Sequence, residues 1–437
     1  MSPAELSLIM TVIFFVLVML GIPVAWVLGG LAVIFGYLIM GDMIFGWVVY
    51  RTWDVMGWFS LMAIPLYILM AAVLSYSGIA EDLYDALRVW LGPVPGGLAI
   101  ASVLVATVLA AMVGIIAAGV VLMGMIALPT LRRYGYDVKL SVGAIMAGGA
   151  LGVLIPPSIT FIIYGLLAPY SVGQLFMGGI IPGLILSGLF CTYILIRTLI
   201  NPKLGPPIPK EERTKSLRQK FVLLKSIAMP AVLILLVLGS IYLGWATPSE
   251  AAGVGAVGAI ICAIIRGKFT RASFKACIHT TAKNVGMIAW ITFAAYAFAG
   301  IFIYAGGGNL IAEFLLGSGL GRWGIVTVIM LILFVLGMFL DTTSIIILCT
   351  PVFVPIILSL GFSPLWFGVV FNMNLQIAFL SPPFGLCLFF MKGVAPDISM
   401  GTIMRAVIPY MGLQMIGLAL VIIFPQICMW LPGLMIK

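Results

Sequence analysis

The chain has 437 residues, of which 63% are hydrophobic and 8% are charged. Soluble domains carry about 25% charged residues, so this composition excludes a soluble protein and indicates an integral membrane protein. The net charge of +9 lies in short loops, as the positive-inside rule predicts for membrane proteins, and no nucleic-acid partner is expected. Apolar runs of about 20 residues without alternation predict membrane-spanning helices and an all-α fold.

The first predicted segments are three spans, a loop and an amphipathic helix. The spans cover residues 6–20, 24–40 and 61–75. Residues 41–60 are predicted to form a loop whose three tryptophans mark the membrane interface. Residues 79–90 carry acidic side chains on one face and leucines on the other, which predicts a helix lying in the interface.

A re-entrant helical hairpin is predicted at about 98–131. This apolar stretch is too short for two spans and too long for one, and Gly114 lies near its middle. The next span, at 141–167, contains Pro156-Pro157. Adjacent prolines remove two backbone donors and disfavour helix before them, so this span must unwind there. A span at 180–199 follows.

A polar, basic linker at 201–225 separates two halves, residues 1–200 and 226–437. Thr247-Pro-Ser-Glu250 in the second half fits a capping box with proline in the first helical turn. The other predicted segments of this half are spans at 229–243, 251–265, 285–304 and 406–430, a basic loop at 266–283, a short amphipathic piece at 308–316, a hairpin at about 324–357, and a span at 365–390 broken at Pro382-Pro383.

The two halves align at a nearly constant offset. Pro129 matches Pro355, and Pro156-Pro157 matches Pro382-Pro383, in each case 226 positions apart. Chance matches would not keep one offset over most of a half-chain, so we expect an internal duplication. Each half then has five crossings and one hairpin. An odd number of crossings makes the second half inverted in the membrane.

The charge distribution predicts the orientation. With both termini on the outer side of the membrane, 19 of the 22 Lys and Arg residues fall on the cytoplasmic side, many of them in the linker at 201–225. The positive-inside rule favours this topology. Those on the other side are Arg51, Arg322 and Lys437. The two hairpins then enter from opposite faces, and their tips, near Gly114 and Asp341, meet at mid-membrane beside the Pro-Pro breaks.

Asp341 is an ionisable group inside an apolar run. A carboxylate at membrane depth costs several kcal/mol unless it is paired, which favours an ion or substrate site over a helix-capping aspartate. Inverted repeats, broken helices and a midplane polar site are typical of secondary transporters. Freed carbonyls can bind a cation there, and helix N-termini can bind a carboxylate.

Two other functions remain as alternatives. An intramembrane enzyme requires a second catalytic group at depth, but of the thirteen acidic residues only Asp341 lies clearly deep. An ion channel is expected to have a symmetric ring of pore-lining groups, whereas an inverted repeat suits alternating access better. A single histidine, His279, makes zinc or Ser-His-Asp chemistry improbable.

Six motifs are distributed along the chain. They are Arg133-Tyr-Gly-Tyr-Asp137, Gly149-Ala-Leu-Gly-Val-Leu-Ile-Pro-Pro-Ser158, Gly178-Gly-Ile-Ile-Pro-Gly183, Ala246-Thr-Pro-Ser-Glu-Ala251, Gly337-Met-Phe-Leu-Asp341 and Ser381-Pro-Pro-Phe-Gly385. With them the sequence resembles, over essentially its whole length, the large membrane subunit of tripartite ATP-independent periplasmic (TRAP) transporters. The resemblance implies an elevator-type, sodium-coupled importer of a small organic acid in a bacterial inner membrane, and not an enzyme. It also implies a small four-span membrane subunit and a periplasmic substrate-binding protein as partners, with sodium the only metal and no other cofactor.

The resemblance also implies where the ligands bind, because sodium is expected between each hairpin tip and its neighbouring broken span. One sodium site falls at Gly114, Ala117, Gly152 and Pro156, and the other at Asp341, Thr342, Thr343, Ser381 and Pro382. The substrate is expected at Pro157, Ser158, Asp341, Thr342 and Pro383. The first tip, residues 114–119, contains no hydroxyl group, so sodium there would be bound by backbone carbonyls alone.

Overall fold

The computed structural model describes residues 3–114, 116–212 and 217–435, which form helices and connecting turns without any strand. Within these residues, eight helices are long and apolar enough to cross a membrane, and several shorter apolar helices accompany them. The prediction of an all-α, multi-pass membrane protein is therefore confirmed.

The described residues of the first half form ten α-helices. They are α1 (Pro3–Met19), α2 (Val24–Met40), α3 (Met43–Met56), α4 (Ala63–Tyr76), α5 (Ile79–Leu91), α6 (Gly97–Val113), α7 (Ile116–Arg133), α8 (Val138–Ala150), α9 (Ile159–Leu167) and α10 (Val172–Ile200). The helices α6 and α7 form the first predicted hairpin, and the gap between α8 and α9 is the first predicted break.

The second half of the described chain also forms ten α-helices. They are α11 (Leu217–Tyr242), α12 (Pro248–Ile265), α13 (Arg271–Tyr304), α14 (Gly307–Leu316), α15 (Arg322–Phe339), α16 (Thr342–Ser359), α17 (Pro364–Leu380), α18 (Leu386–Val394), α19 (Met400–Ile423) and α20 (Gln426–Gly433). The hairpin α15–α16 and the break between α17 and α18 lie where the sequence predicts them. The predicted capping box is present, because the Glu250 amide donates to the Thr247 hydroxyl and the Thr247 amide donates to the Glu250 carboxylate.

The prediction of a loop is wrong for two segments, because both contain helix. Residues 43–56 of the first form α3, an amphipathic helix that buries Ile44 and Val55 and exposes Trp53. Most of the second, residues 266–283, belongs to α13. That helix has 34 residues and is therefore about 50 Å long, well beyond the roughly 30 Å hydrocarbon core of a bilayer. Its basic first turns can lie in water while remaining helical.

The last predicted span and the linker are also corrected. The span at 406–430 is two helices, α19 and α20, because Pro425 interrupts the chain between them. The linker predicted at 201–225 ends early, since α11 begins at Leu217. Its basic residues beyond that point belong to a helix.

The start of that linker packs against the turns that precede α6 and α8. We call residues 201–208 the strap. The Ile208 amide donates to the Gly92 carbonyl at 2.8 Å, and the Gly96 amide donates to the Gly205 carbonyl at 2.8 Å. The Asp137 amide donates to the Leu204 carbonyl at 2.9 Å. The strap therefore joins the turn before α6 to the turn before α8, and the residues after it lead to α11.

The buried centre of the molecule is formed by α8 and α17, which stand 226 positions apart in the sequence. All residues from Leu140 to Ala150 on α8 and from Leu365 to Leu380 on α17 are buried. The helix contacts around them are reciprocal, since α7 packs on α18 and α16 packs on α9, while α2 packs on α13 and α4 on α12. Both Pro156-Pro157 and Pro382-Pro383 are cis. These paired features place the two hairpins and the two breaks around one central region.

Candidate functional site

A cavity of about 360 Å³ lies where the two hairpins approach each other. Gly114 and Ala117 reach it from the first tip, and Asp341 reaches it from the second. The other lining residues are Ile116, Val153, Ile159, Thr160, Met287, Ile288, Ile291, Thr342, Thr343, Phe379, Leu386 and Phe390. The hairpin tips, which are more than 200 residues apart in sequence, therefore contribute to one site.

Four helices begin at the wall of this cavity. Ile116 is the first residue of α7, Ile159 of α9, Thr342 of α16 and Leu386 of α18, and all four line the cavity. A helix N-terminus carries a partial positive charge of about half an elementary charge, together with amide groups that lack partners within the helix. No side-chain cap satisfies these amides at α9 or α18. The cavity wall therefore favours an anion at these ends.

Asp341 is the acidic side chain of the cavity, and it also caps α16. One carboxylate oxygen accepts a hydrogen bond from the Ser344 amide at 3.1 Å, and the other accepts one from the Ser344 hydroxyl. The alternative interpretation of Asp341 as a capping residue is thus correct as far as geometry goes. Capping leaves it without a cationic side-chain partner, because no described Lys, Arg or His lies within 4.0 Å of it. The described ion pairs, Arg88–Asp85, Arg132–Asp397 and Arg266–Asp82, lie elsewhere in the chain.

The first hairpin tip is held close to the first break. Gly114 has φ +65°, and a Cβ atom added there would stand 2.3 Å from the Pro157 carbonyl oxygen. A glycine is therefore required at this position both for its conformation and for the approach of the two backbones. The break itself is ordered by hydroxyl groups, since the Ser158 hydroxyl donates to the Val153 carbonyl at 2.6 Å and contacts the Thr160 hydroxyl at 2.8 Å.

The second hairpin is attached to its broken helix by a buried amide. The Asn374 side-chain nitrogen donates to the Met330 carbonyl at 2.7 Å and so joins α17 to α15. Gly337 allows the same two helices to approach, because an added Cβ would stand 2.5 Å from the Cβ of Ala378. The chain leaves α15 three residues after Gly337, and the next residue, Asp341, lies at the cavity.

The cavity contains only some of the residues predicted to bind ligands. It brings together Gly114, Ala117, Asp341, Thr342 and Thr343. The remaining predicted residues flank the cavity and do not line it, and they are Gly152, Pro156, Pro157, Ser158, Ser381, Pro382 and Pro383. At the first break the predicted four are buried, whereas at the second Pro383 is exposed. The assignment of these flanking residues to sodium or substrate stays a prediction.

Sequence reasoning missed several residues of the site. Thr160 lies three positions beyond Pro157, at the start of α9, and its position was a usable signal. Ser344 stands three residues after Asp341, the spacing at which a capping side chain meets a backbone amide. By contrast, Met287, Ile288 and Ile291 come from the middle of α13, where nothing in the local pattern indicates a site.

Membrane-spanning helices, two hairpins that meet at one cavity and a carboxylate in that cavity without a cationic side-chain partner define a membrane transporter. Residues 11–427 match the family model described as the tripartite ATP-independent periplasmic transporter, DctM component. The chain belongs to this family, and the expectation drawn from its six motifs is confirmed.

Individual relatives agree with this assignment, and one solved structure has a similar fold. The chain is 30% identical over 376 residues to the C4-dicarboxylate TRAP transporter large permease of Pseudomonas aeruginosa, covering 86% of each protein. It is 28% identical to the 2,3-diketo-L-gulonate TRAP transporter large permease of Escherichia coli, covering 93% of each. In structure it resembles the YdaH transporter of Alcanivorax borkumensis, with a TM-score of 0.65, 18% identity, and coverage of 96% of this chain and 99% of that one. These relatives are transporters, so the prediction that this chain is not an enzyme is also confirmed.

Proposed function

We propose that this permease imports a small carboxylate together with sodium ions. The observation that carries the proposal is that four helix N-termini and one carboxylate without a cationic side-chain partner line a single cavity. The N-termini favour an anion and Asp341 favours a cation, so the same cavity suits both partners of a symport. The relatives named for C4-dicarboxylate and 2,3-diketo-L-gulonate support an organic acid as the substrate.

The second hairpin tip is the better of the two proposed sodium sites. Asp341 supplies the charge, and the hydroxyls of Thr342 and Thr343 stand beside it at the cavity wall. In the proposal, Ser381 and Pro382 complete this site from the break between α17 and α18. At the first tip, Gly114 and Ala117 with Gly152 and Pro156 offer backbone carbonyls alone, which are oxygen ligands of the kind that unwound segments present to sodium in secondary transporters.

The carboxylate of the substrate is proposed to lie at the N-termini that follow the two breaks. Pro157 and Ser158 precede α9, and Pro383 precedes α18, so their backbones lead directly into helix ends that carry positive partial charge. In the proposal, Asp341 and Thr342 reach the substrate through the bound sodium ion. The reciprocal contacts of the two halves support an inverted repeat of residues 1–200 and 226–437 and an elevator movement of the hairpin bundle.

The family description, a component of a tripartite periplasmic transporter, supports two partners for this chain. We propose that they are a small four-span membrane subunit and a periplasmic substrate-binding protein. The proposed location is a bacterial inner membrane, with both termini periplasmic and the linker after residue 200 cytoplasmic. In this arrangement the binding protein delivers the carboxylate to the periplasmic opening of the permease.

Reconstitution tests the function as a whole. Vesicles that contain this chain with its small membrane subunit are expected to accumulate the acid that co-purifies with the binding protein, when that loaded protein and an inward sodium gradient are supplied. Vesicles that contain the chain alone are expected to show no accumulation, because the moving bundle then lacks its bracing partner. Uptake that persists without a sodium gradient would contradict the coupling, and uptake by the chain alone would contradict the need for the small subunit.

Topology can be tested with two exposed positions on predicted opposite sides. In a cysteine-free variant, Lys210→Cys is expected to resist a membrane-impermeant thiol reagent applied to cells with a permeabilised outer membrane. Ser318→Cys is expected to react readily, because the inverted repeat places the turn between α14 and α15 in the periplasm. Both side chains are exposed in the structure, so accessibility within the protein does not bias the comparison. The opposite labelling pattern would reverse the orientation.

A further inference from the structure

The cavity has a large apolar wall. It is formed by Met287, Ile288 and Ile291 of α13, together with Phe379 of α17 and Phe390 of α18. These side chains offer neither donors nor acceptors. A substrate whose charged end lies at the N-termini must therefore place its other end against hydrocarbon.

The polar side chains of the cavity are few, and two of the four already have partners. The Thr160 hydroxyl contacts Ser158 at 2.8 Å and donates to the Val153 carbonyl at 3.2 Å. Asp341 accepts two hydrogen bonds from Ser344. Thr342 and Thr343 line the cavity as well, and neither hydroxyl has a hydrogen-bond partner among the described residues. Both threonines adjoin Asp341 and are proposed sodium ligands, so they cannot satisfy the several hydroxyls of a sugar acid.

The cavity also lacks a cationic side chain for a second carboxylate. No Lys, Arg or His lines it within the described parts of the chain. The positive groups it offers are the helix ends that begin at its wall. A second carboxylate against the isoleucine and phenylalanine wall would lose its hydration without gaining a partner. The volume of about 360 Å³ lies near the lower end of the range for small-molecule pockets.

We infer that the substrate is a short monocarboxylate with an apolar body, and not a dicarboxylate or a polyhydroxylated sugar acid. The inference rests on the proposed function, since it assumes that the cavity binds a carboxylate. It separates this chain from the relatives named for C4-dicarboxylate and 2,3-diketo-L-gulonate. The residues that set the preference are Ile288, Ile291, Phe379 and Phe390, because they contact the end of the substrate that differs between these classes.

Three acids of matched shape test the inference. In 4-methylpentanoate the terminal isopropyl group has the shape of a carboxylate, and replacing it by a carboxylate gives succinate. Replacing one of its methyl groups by a hydroxyl gives 4-hydroxypentanoate. Binding is measured by isothermal titration of the permease in complex with its small membrane subunit, in lipid nanodiscs with saturating sodium chloride. We expect 4-methylpentanoate to bind about tenfold more tightly than 4-hydroxypentanoate and at least about a hundredfold more tightly than succinate.

The outcomes separate the inference from the function beneath it. Succinate or 4-hydroxypentanoate binding as tightly as 4-methylpentanoate would overturn the inference and leave carboxylate binding intact. Failure of all three acids to bind at millimolar concentration would overturn the proposed function itself, and the inference with it.

A pair of variants on one helix checks that the apolar wall is responsible. Ile291→Asn adds an amide to the cavity, and the preference for 4-methylpentanoate over succinate is expected to fall about tenfold. Ile303→Asn makes the same change on α13 at an exposed position outside the cavity, and should leave the preference unchanged. An unchanged preference in a folded Ile291→Asn variant would show that α13 does not contact the substrate.

Discussion

Asp341→Asn is expected to lower sodium-driven uptake at least tenfold at limiting sodium concentration. The change keeps the shape of the side chain and removes its charge. An ion pair at about 2.4 Å is worth about 7 kcal/mol before desolvation is subtracted, at an effective dielectric constant near 20. A net loss of only about 1.4 kcal/mol is already tenfold in affinity. Uptake measured as a function of sodium concentration should therefore show a raised sodium requirement.

The structure makes this substitution a clean test, because Asp341 has two roles that can be separated. Its carboxylate caps α16 through Ser344, and asparagine is as good a capping residue as aspartate. Membrane insertion and pairing with the small subunit should therefore survive. The matched control is Asp137→Asn, which changes the aspartate that caps α8 through the Leu140 amide and lies outside the cavity.

The control should keep the sodium dependence of the unmodified protein. If Asp341→Asn did the same, the carboxylate would be a structural cap and nothing more. Thr342→Val and Thr343→Val should raise the sodium requirement more mildly, since each removes at most one neutral oxygen ligand. A larger effect from either threonine than from Asp341 would show that charge is not what the cation recognises.

Gly114→Ala is expected to reduce uptake at least tenfold. The added Cβ would stand 2.3 Å from the Pro157 carbonyl oxygen, and a backbone atom cannot turn aside as a flexible side chain can. The hairpin tip must then move away from the N-terminus of α9, which disrupts the cavity and the proposed first sodium site. The left-handed conformation, φ +65°, adds about 1–2 kcal/mol of strain for a residue with a side chain.

Gly135→Ala distinguishes the steric clash from the backbone strain as the cause of the reduced uptake. Gly135 has φ +72°, so alanine suffers similar backbone strain there, but an added Cβ at that position meets nothing within 4 Å. Uptake normalised to the amount of folded protein, judged by gel filtration, should be close to that of the unmodified protein for Gly135→Ala. Equal losses in the two variants would mean that strain alone matters and that the tip need not touch the break.

The features predicted best from the sequence are those with a local physical cause. Adjacent prolines cannot continue a helix, so both breaks were found at Pro156-Pro157 and Pro382-Pro383. Glycine at a helix end and a buried aspartate gave the two hairpin tips. The capping box at Thr247 has a fixed spacing between its two partners, and it is present as predicted. Each of these signals is contained in a few neighbouring residues.

The features that were missed depend on what lies outside the segment. The aromatic residues of α3 suit an interfacial loop or an interfacial helix equally well, and packing against α2 and α13 decides for the helix. The basic start of α13 appears too polar for a span, yet it is helical because the helix extends beyond the bilayer core. The contribution of α13 to the cavity could not be predicted, since Ile291 is one of many apolar residues on a long apolar helix until the hairpins are placed beside it.

The strap and the residues after it limit how far α11 can move away from the turn before α6. Ile208 is bonded to the turn before α6, whereas Leu217 begins α11, and nine Cα–Cα steps separate them in the sequence. A fully extended chain spans at most about 3.6 Å per residue, so this connection reaches about 30 Å and no further. That length is close to the thickness of the bilayer core. The segment therefore keeps the strap and α11 within about this distance of each other, and any movement of the hairpin bundle relative to α11 in the proposed transport cycle must satisfy that limit.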